Sequence, residues 1–124
     1  MPILVDSDVL IEISRERDTD LVARWRGLTQ SNDIIGYSPV TAAELWQGAR
    51  EKETADLENL FTALVCLPID EAIGRAAGSY LRRFAKSHAV ELGDALIAAT
   101  AAQHEAYLWT RNRKHYPMKD IRFY

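Results

Sequence analysis

The chain has 124 residues, 48% hydrophobic and 27% charged, with a formal net charge of −3. These values describe one globular domain over residues 1–124 that can bury a core unaided, and the acidic balance argues against indiscriminate coating of nucleic acid. Cys66 is the only cysteine, which excludes an internal disulfide, and there is neither a membrane-spanning apolar run nor a secretion-signal pattern, so a cytoplasmic protein with no membrane partner is expected.

The first element is the short apolar run Ile3-Leu4-Val5, which stops on Asp6-Ser7-Asp8 and gives way to Val9-Leu10-Ile11. With no polar residue between Ile3 and Val5 it reads as a strand buried on both faces, the middle of a parallel sheet. Asp6 then stands just beyond the carboxyl end of that strand, where open α/β sheets bind ligands. The structural alternative is that Ser7 or Asp8 caps the following helix, which runs to about Arg15.

Asp18 or Asp20 caps a second helix with Leu21, Val22, Trp25 and Leu28 on one face. Asp33 to Ser38 reads as a strand. In Ser38-Pro39-Val40-Thr41-Ala42-Ala43-Glu44, two helix starts compete. Thr41 and Glu44 fit a capping box, whereas Pro39 at the first helical position makes Ser38 the cap and moves Glu44 into the second turn. Glu44 then shares a face with Val40 and Gly48 and is expected to point inward, where a carboxylate needs a partner.

A helix is predicted over 51–64, a strand over 65–69 and a long helix over 70–87, whose outer face carries Arg82, Arg83 and Lys86. Gly93-Asp94-Ala95-Leu96-Ile97-Ala98-Ala99-Thr100-Ala101 opens another helix, with Asp94 as a candidate N-cap that also brings a third acid toward Asp6. Tyr107 to Thr110 is a strand, Arg111-Asn112-Arg113-Lys114 a basic loop, and Ile121-Arg122-Phe123 an edge strand. His88, His104 and His115 lack ligand spacing and read as surface residues. The alternation of strands and helices predicts a three-layer α/β/α sandwich with a central parallel sheet. Asp6, Glu44 and Asp94 are the oxygen donors that a hard cation such as Mg²⁺ or Mn²⁺ accepts, and such sites serve phosphodiester hydrolysis.

The set of motifs, Ile3 through Ile11, Thr41-x-x-Glu44-Leu45, Gly93 through Ala101 and Thr110-Arg111-Asn112, resembles the PIN-domain ribonucleases and in particular the VapC toxins of toxin–antitoxin pairs. The resemblance covers the whole chain in order. It implies a PIN-like, Rossmann-like fold and a metal-dependent endoribonuclease, usually a homodimer, acting on RNA and held inactive by a VapB-type antitoxin. The family's first three acids fall on Asp6, Glu44 and Asp94, as catalytic residues and ligands of Mg²⁺ or Mn²⁺. Ser7 and Thr110 are implied to orient water or ligand. Asn112 stands where many members carry a fourth acid; its amide can hold water but adds no charge, and Asp8 is an extra acid nearby. Arg111 and Arg113 are candidate RNA contacts.

Two other readings compete. Asp6-x-Asp8 after a strand also matches the opening of haloacid-dehalogenase-type phosphatases, but too little chain follows Thr110 for their remaining motifs. A non-catalytic module that binds RNA or a partner is the other, because fold alone does not carry activity.

Overall fold

Ile3–Val5, apolar on both faces, forms strand β1 at the centre of a computed structural model that describes residues 1–124. Its side chains alternate, with Ile3 and Val5 entering one core and Leu4 the other. After it come α1 (Ser7–Arg15), α2 (Thr19–Thr29), β2 (Ile35–Tyr37), α3 (Pro39–Gly48) and a 3₁₀ turn at Glu51–Glu53. The remaining elements are α4 (Thr54–Thr62), β3 (Val65–Cys66), α5 (Glu71–His88), α6 (Leu92–Gln103), β4 (Tyr107–Trp109), a second 3₁₀ turn at Arg113–His115, and β5 (Arg122–Phe123).

The strands form one parallel sheet in the order β3-β2-β1-β4-β5. On one face Val9, Leu10, Leu21, Trp25, Leu45 and Leu57 bring α1 to α4 against Ile3, Val5 and Trp109. On the other, Ile73, Ala77, Tyr80 and the alanines of α6 pack on Leu4 and Leu108. Ala95, Ala98, Ala99 and Ala101 are almost fully buried, and their small side chains let α6 lie close to its neighbours. The expected three-layer α/β/α sandwich is thus the observed fold.

Asp18 and Ser38 cap their helices as expected, and Asp70 is a further side-chain cap. Asp18 accepts from the Leu21 N–H, Ser38 from the Val40 N–H with Pro39 leading α3, and Asp70 from the Ile73 N–H. The predicted helix over 51–64 is instead split. Glu53 Oε1 accepts from both the backbone N–H and the Nε of Arg50, closing a 3₁₀ turn before Thr54 begins α4. The predicted strand over 65–69 is shortened to Val65 and Cys66, in register with Gly36 and Tyr37, and the Leu67 N–H makes the last bond of the ladder to the Tyr37 carbonyl.

From β1 the chain steps outward through β2 to β3, then crosses to β4 and β5 on the opposite side. The order therefore reverses between β1 and β4, and their carboxyl ends flank the resulting crevice. The Asp6 N–H donates to the Trp109 carbonyl at 2.9 Å, carrying the β1–β4 ladder up to that point.

Candidate active site

Asp6 ends β1 and is itself the N-cap of α1, replacing the expected cap at Ser7 or Asp8. Its Oδ1 accepts from the Ser7 N–H at 2.8 Å, and its Oδ2 accepts from the hydroxyls of Thr110 at 2.9 Å and Tyr116 at 2.8 Å. Asp6 is buried, and a buried carboxylate needs such donors; the positive end of α1 adds to their effect.

Glu44 departs from expectation. Thr41 and Leu45 are the core-facing residues of α3, whereas Glu44 is exposed on the lip of the crevice. One helical turn separates Thr41 from Leu45, so their face occupies the core and Glu44 lies beside it. Its Oε1 accepts from Ser7 Oγ at 2.8 Å, which ties α3 to the start of α1 and fixes the carboxylate over the site.

Asp94 is not the N-cap of α6, since that position belongs to Glu91. Asp94 sits three residues into the helix, where its Oδ2 accepts from the Glu91 N–H at 3.3 Å as half of a capping box. Burial holds its carboxyl above the usual range, and the negative charges of Asp6 and Glu91 push the same way against the Glu91 N–H and His115.

Asp8 organises the loop after β4. Its Oδ2 accepts from the Arg111 N–H at 3.0 Å and from Asn112 Nδ2 at 3.3 Å. Thr110 Oγ1 lies 3.5 Å away but donates to the nearer Asp6, while accepting from the Asn112 N–H at 3.1 Å. Burial and the charge of Asp6 raise the Asp8 carboxyl above its usual range. Its Oδ1 is buried with no hydrogen-bond partner.

A cleft of about 510 Å³ gathers Asp6, Glu44 and Asp94 as the sequence predicts, together with Ser7 and Asn112. Thr110 reaches it through Asp6. Arg111 and Arg113 do not line it. Arg111 lies exposed at 3.6 Å from Glu12, and Arg113 is stacked on Phe123 at 4.9 Å. Three residues were missed as contributors, namely Tyr116, Asp8 as a loop anchor, and His115, which lines the cleft instead of lying apart from it. Tyr116 and His115 carry no local periodicity that marks them, and only the tertiary fold brings them to Asp6 and Asp94.

The donor set consists of five carboxylates, those of Asp6, Asp8, Glu44, Glu91 and Asp94, and one imidazole. Such an oxygen-rich set, with an orphaned buried oxygen on Asp8 and two carboxyls held above their usual range, fits a hard divalent cation. No three of these side chains converge closely enough to enclose an ion by themselves, which suits a cation that keeps part of its water shell.

The PIN domain description matches residues 3–121 of this chain. The chain belongs to the PIN-domain family. This PIN domain is 38% identical over 117 residues to Ribonuclease VapC10 of Mycobacterium tuberculosis, an alignment covering 94% of this chain and 86% of that one. It is 40% identical over 116 residues to Ribonuclease VapC19 of the same organism, covering 93% and 92%. Within the PIN domains it therefore groups with the VapC ribonucleases. The crystal structure of VapBC2 from Rickettsia felis, bound to a DNA fragment from its promoter, aligns with all of this chain and 98% of that one. The TM-score is 0.84 at 20% identity, which shows the shared PIN fold.

Proposed function

We propose that this PIN domain is a VapC-type endoribonuclease toxin that hydrolyses RNA phosphodiester bonds in the cleft beyond β1, with Mg²⁺ or Mn²⁺ as cofactor. The observation that carries the reading is the meeting of Asp6, Glu44 and Asp94, from three separate elements, in one cleft at the sheet's switch point. Identities of 38% and 40% to proteins named as VapC ribonucleases support it. In this reading the chain acts in the cytoplasm as a homodimer of single domains over residues 1–124 and is restrained by a cognate VapB-type antitoxin.

Asp6, Glu44 and Asp94 would hold the cation. When bound, it neutralises charge on the phosphate and activates water for attack. Asp6 is kept in position by Ser7, Thr110 and Tyr116, and Glu44 by Ser7, so little reorganisation is left for the moment of reaction. Ser7 and Asn112 line the cleft between the acids, within reach of a water or a phosphate oxygen. Arg111, exposed on the loop that Asp8 anchors, attracts the RNA backbone toward an otherwise acidic cleft, and Arg113 adds to the same basic edge.

The test is incubation of the purified, partner-free chain with total cellular RNA and Mg²⁺ or Mn²⁺, beside Asp94→Asn and EDTA controls. Discrete fragments that require both cation and Asp94 are expected. One observation favours a second reading, a non-catalytic module binding RNA or a partner. The side chain at the fourth-acid position, Asn112, spends its amide on Asp8 and adds no charge. Intact RNA in every lane, with no cation binding by calorimetry, would make that reading the better one.

A further inference from the structure

His115 is the single nitrogen heterocycle in a cleft lined by five carboxylates. It closes the 3₁₀ turn Arg113–His115, and its side chain is half exposed, so solvent and small ions reach it. Its Nδ1 lies 4.0 Å from Asp94 Oδ1. That distance is too long for a hydrogen bond. A cation drawn to Asp94 Oδ1 therefore has a ring nitrogen beside it.

The remaining contacts point to the same pair. Asp6 is oriented by Ser7, Thr110 and Tyr116. Asp94 commits only Oδ2 to the Glu91 N–H, and Oδ1 is the atom that faces the imidazole. A carboxylate oxygen and a ring nitrogen side by side form a mixed donor pair on the wall of the proposed cation site.

We infer that His115 is a nitrogen ligand for the cation held by Asp94, and that it biases this cleft toward Mn²⁺ over Mg²⁺. The inference rests on the cation-dependent reading of the cleft given above. Mg²⁺ prefers oxygen ligands and gives up its water reluctantly, so an imidazole adds little to its binding. Mn²⁺ accepts nitrogen more readily, and a neutral imidazole exchanged for one water strengthens its hold without adding charge repulsion among the acids.

The experiment uses the full, partner-free chain without RNA. Pulsed electron paramagnetic resonance of bound Mn²⁺ reads nitrogen hyperfine coupling directly, and calorimetry compares Mn²⁺ with Mg²⁺ for the wild type, His115→Ala and Asp94→Asn. Nitrogen coupling in the wild type and its loss in His115→Ala are expected. Mn²⁺ affinity should fall about tenfold in that variant, and Mg²⁺ affinity by less than about threefold. Mn²⁺ binding that needs Asp94 but shows no nitrogen coupling, or coupling that survives His115→Ala, overturns the role of His115 alone. Absence of Mn²⁺ binding in the wild type, or undiminished binding in Asp94→Asn, overturns the cation site itself.

Discussion

The Tyr116 hydroxyl donates to Asp6 Oδ2 at 2.8 Å, joining residues 110 positions apart in the chain. The tyrosine is buried, and burial together with the charge of Asp6 pushes its hydroxyl far above the usual phenol range. It therefore stays protonated and acts as a permanent donor to the carboxylate that ends β1.

Tyr116→Phe keeps the ring in its core position and removes only that donor. Asp6 retains Ser7 and Thr110, so the expected cost is about 1–3 kcal/mol, read from urea unfolding in EDTA. Cleavage should fall about tenfold, because an Asp6 carboxylate that has lost one of its three donors is held less firmly toward its ligand. An unchanged urea midpoint would show that Ser7 and Thr110 suffice.

The pairing of Asp8 with Asn112 makes a prediction about the missing acid. Asn112 Nδ2 donates to Asp8 Oδ2 at 3.3 Å, so Asn112→Asp sets two carboxylates against each other. That variant should lose on the order of 1–2 kcal/mol without cation. The double variant Asp8→Asn with Asn112→Asp exchanges donor and acceptor and should recover most of the loss. A double-mutant cycle in denaturant measures the coupling, and additive losses would mean that the two side chains act separately.

Asp94 sets the pH dependence. A carboxyl whose folded pKa is raised binds its proton more tightly in the folded state, so its ionisation opposes folding. The penalty is full above the raised value and disappears as pH falls through it toward the ordinary 3.8. Asp94→Asn, which keeps an oxygen to accept from the Glu91 N–H, should melt above the wild type at pH 7 in EDTA. The gap should close toward pH 4, and cleavage should be abolished at every pH. A variant that melts lower at neutral pH would show that the carboxylate stabilises the fold.

How much was legible in the sequence follows from the range of each contact. β1 was readable because three adjacent apolar residues need no distant partner to declare a buried strand, and Ser38-Pro39 declared the start of α3 just as locally. Asp6, Glu44 and Asp94 were readable as acids at element ends. Their settings were less so. The helical spacing of Glu44 with Val40 and Gly48 does not say which face the sheet takes, and it takes Thr41 and Leu45. Asp94 was misplaced because Glu91, three residues earlier, competes for the cap. Asp8 and Tyr116 act through bonds that close across more than a hundred residues, and no local pattern carries that information.

The two arginines of the last loop should differ in their effect on RNA. Arg111 is anchored at its backbone by Asp8, while its guanidinium is about half exposed and only loosely paired with Glu12, which Arg17 already engages at 2.9 Å. That leaves Arg111 free to meet a phosphate. Arg113 lies over the Phe123 ring at 4.9 Å and must leave it to reach RNA. Arg111→Ala should therefore weaken binding of single-stranded RNA and lower the slope of log affinity against log salt by about 0.7, the share of one phosphate contact. Arg113→Ala should change the slope less and reduce stability instead, by about 0.5–1 kcal/mol for the lost stacking. Filter binding on the catalytically silent Asp94→Asn background, from low to moderate salt, separates the two. Equal slopes for wild type and Arg111→Ala would return Arg111 to the solvent-facing surface and leave RNA recognition to other cations.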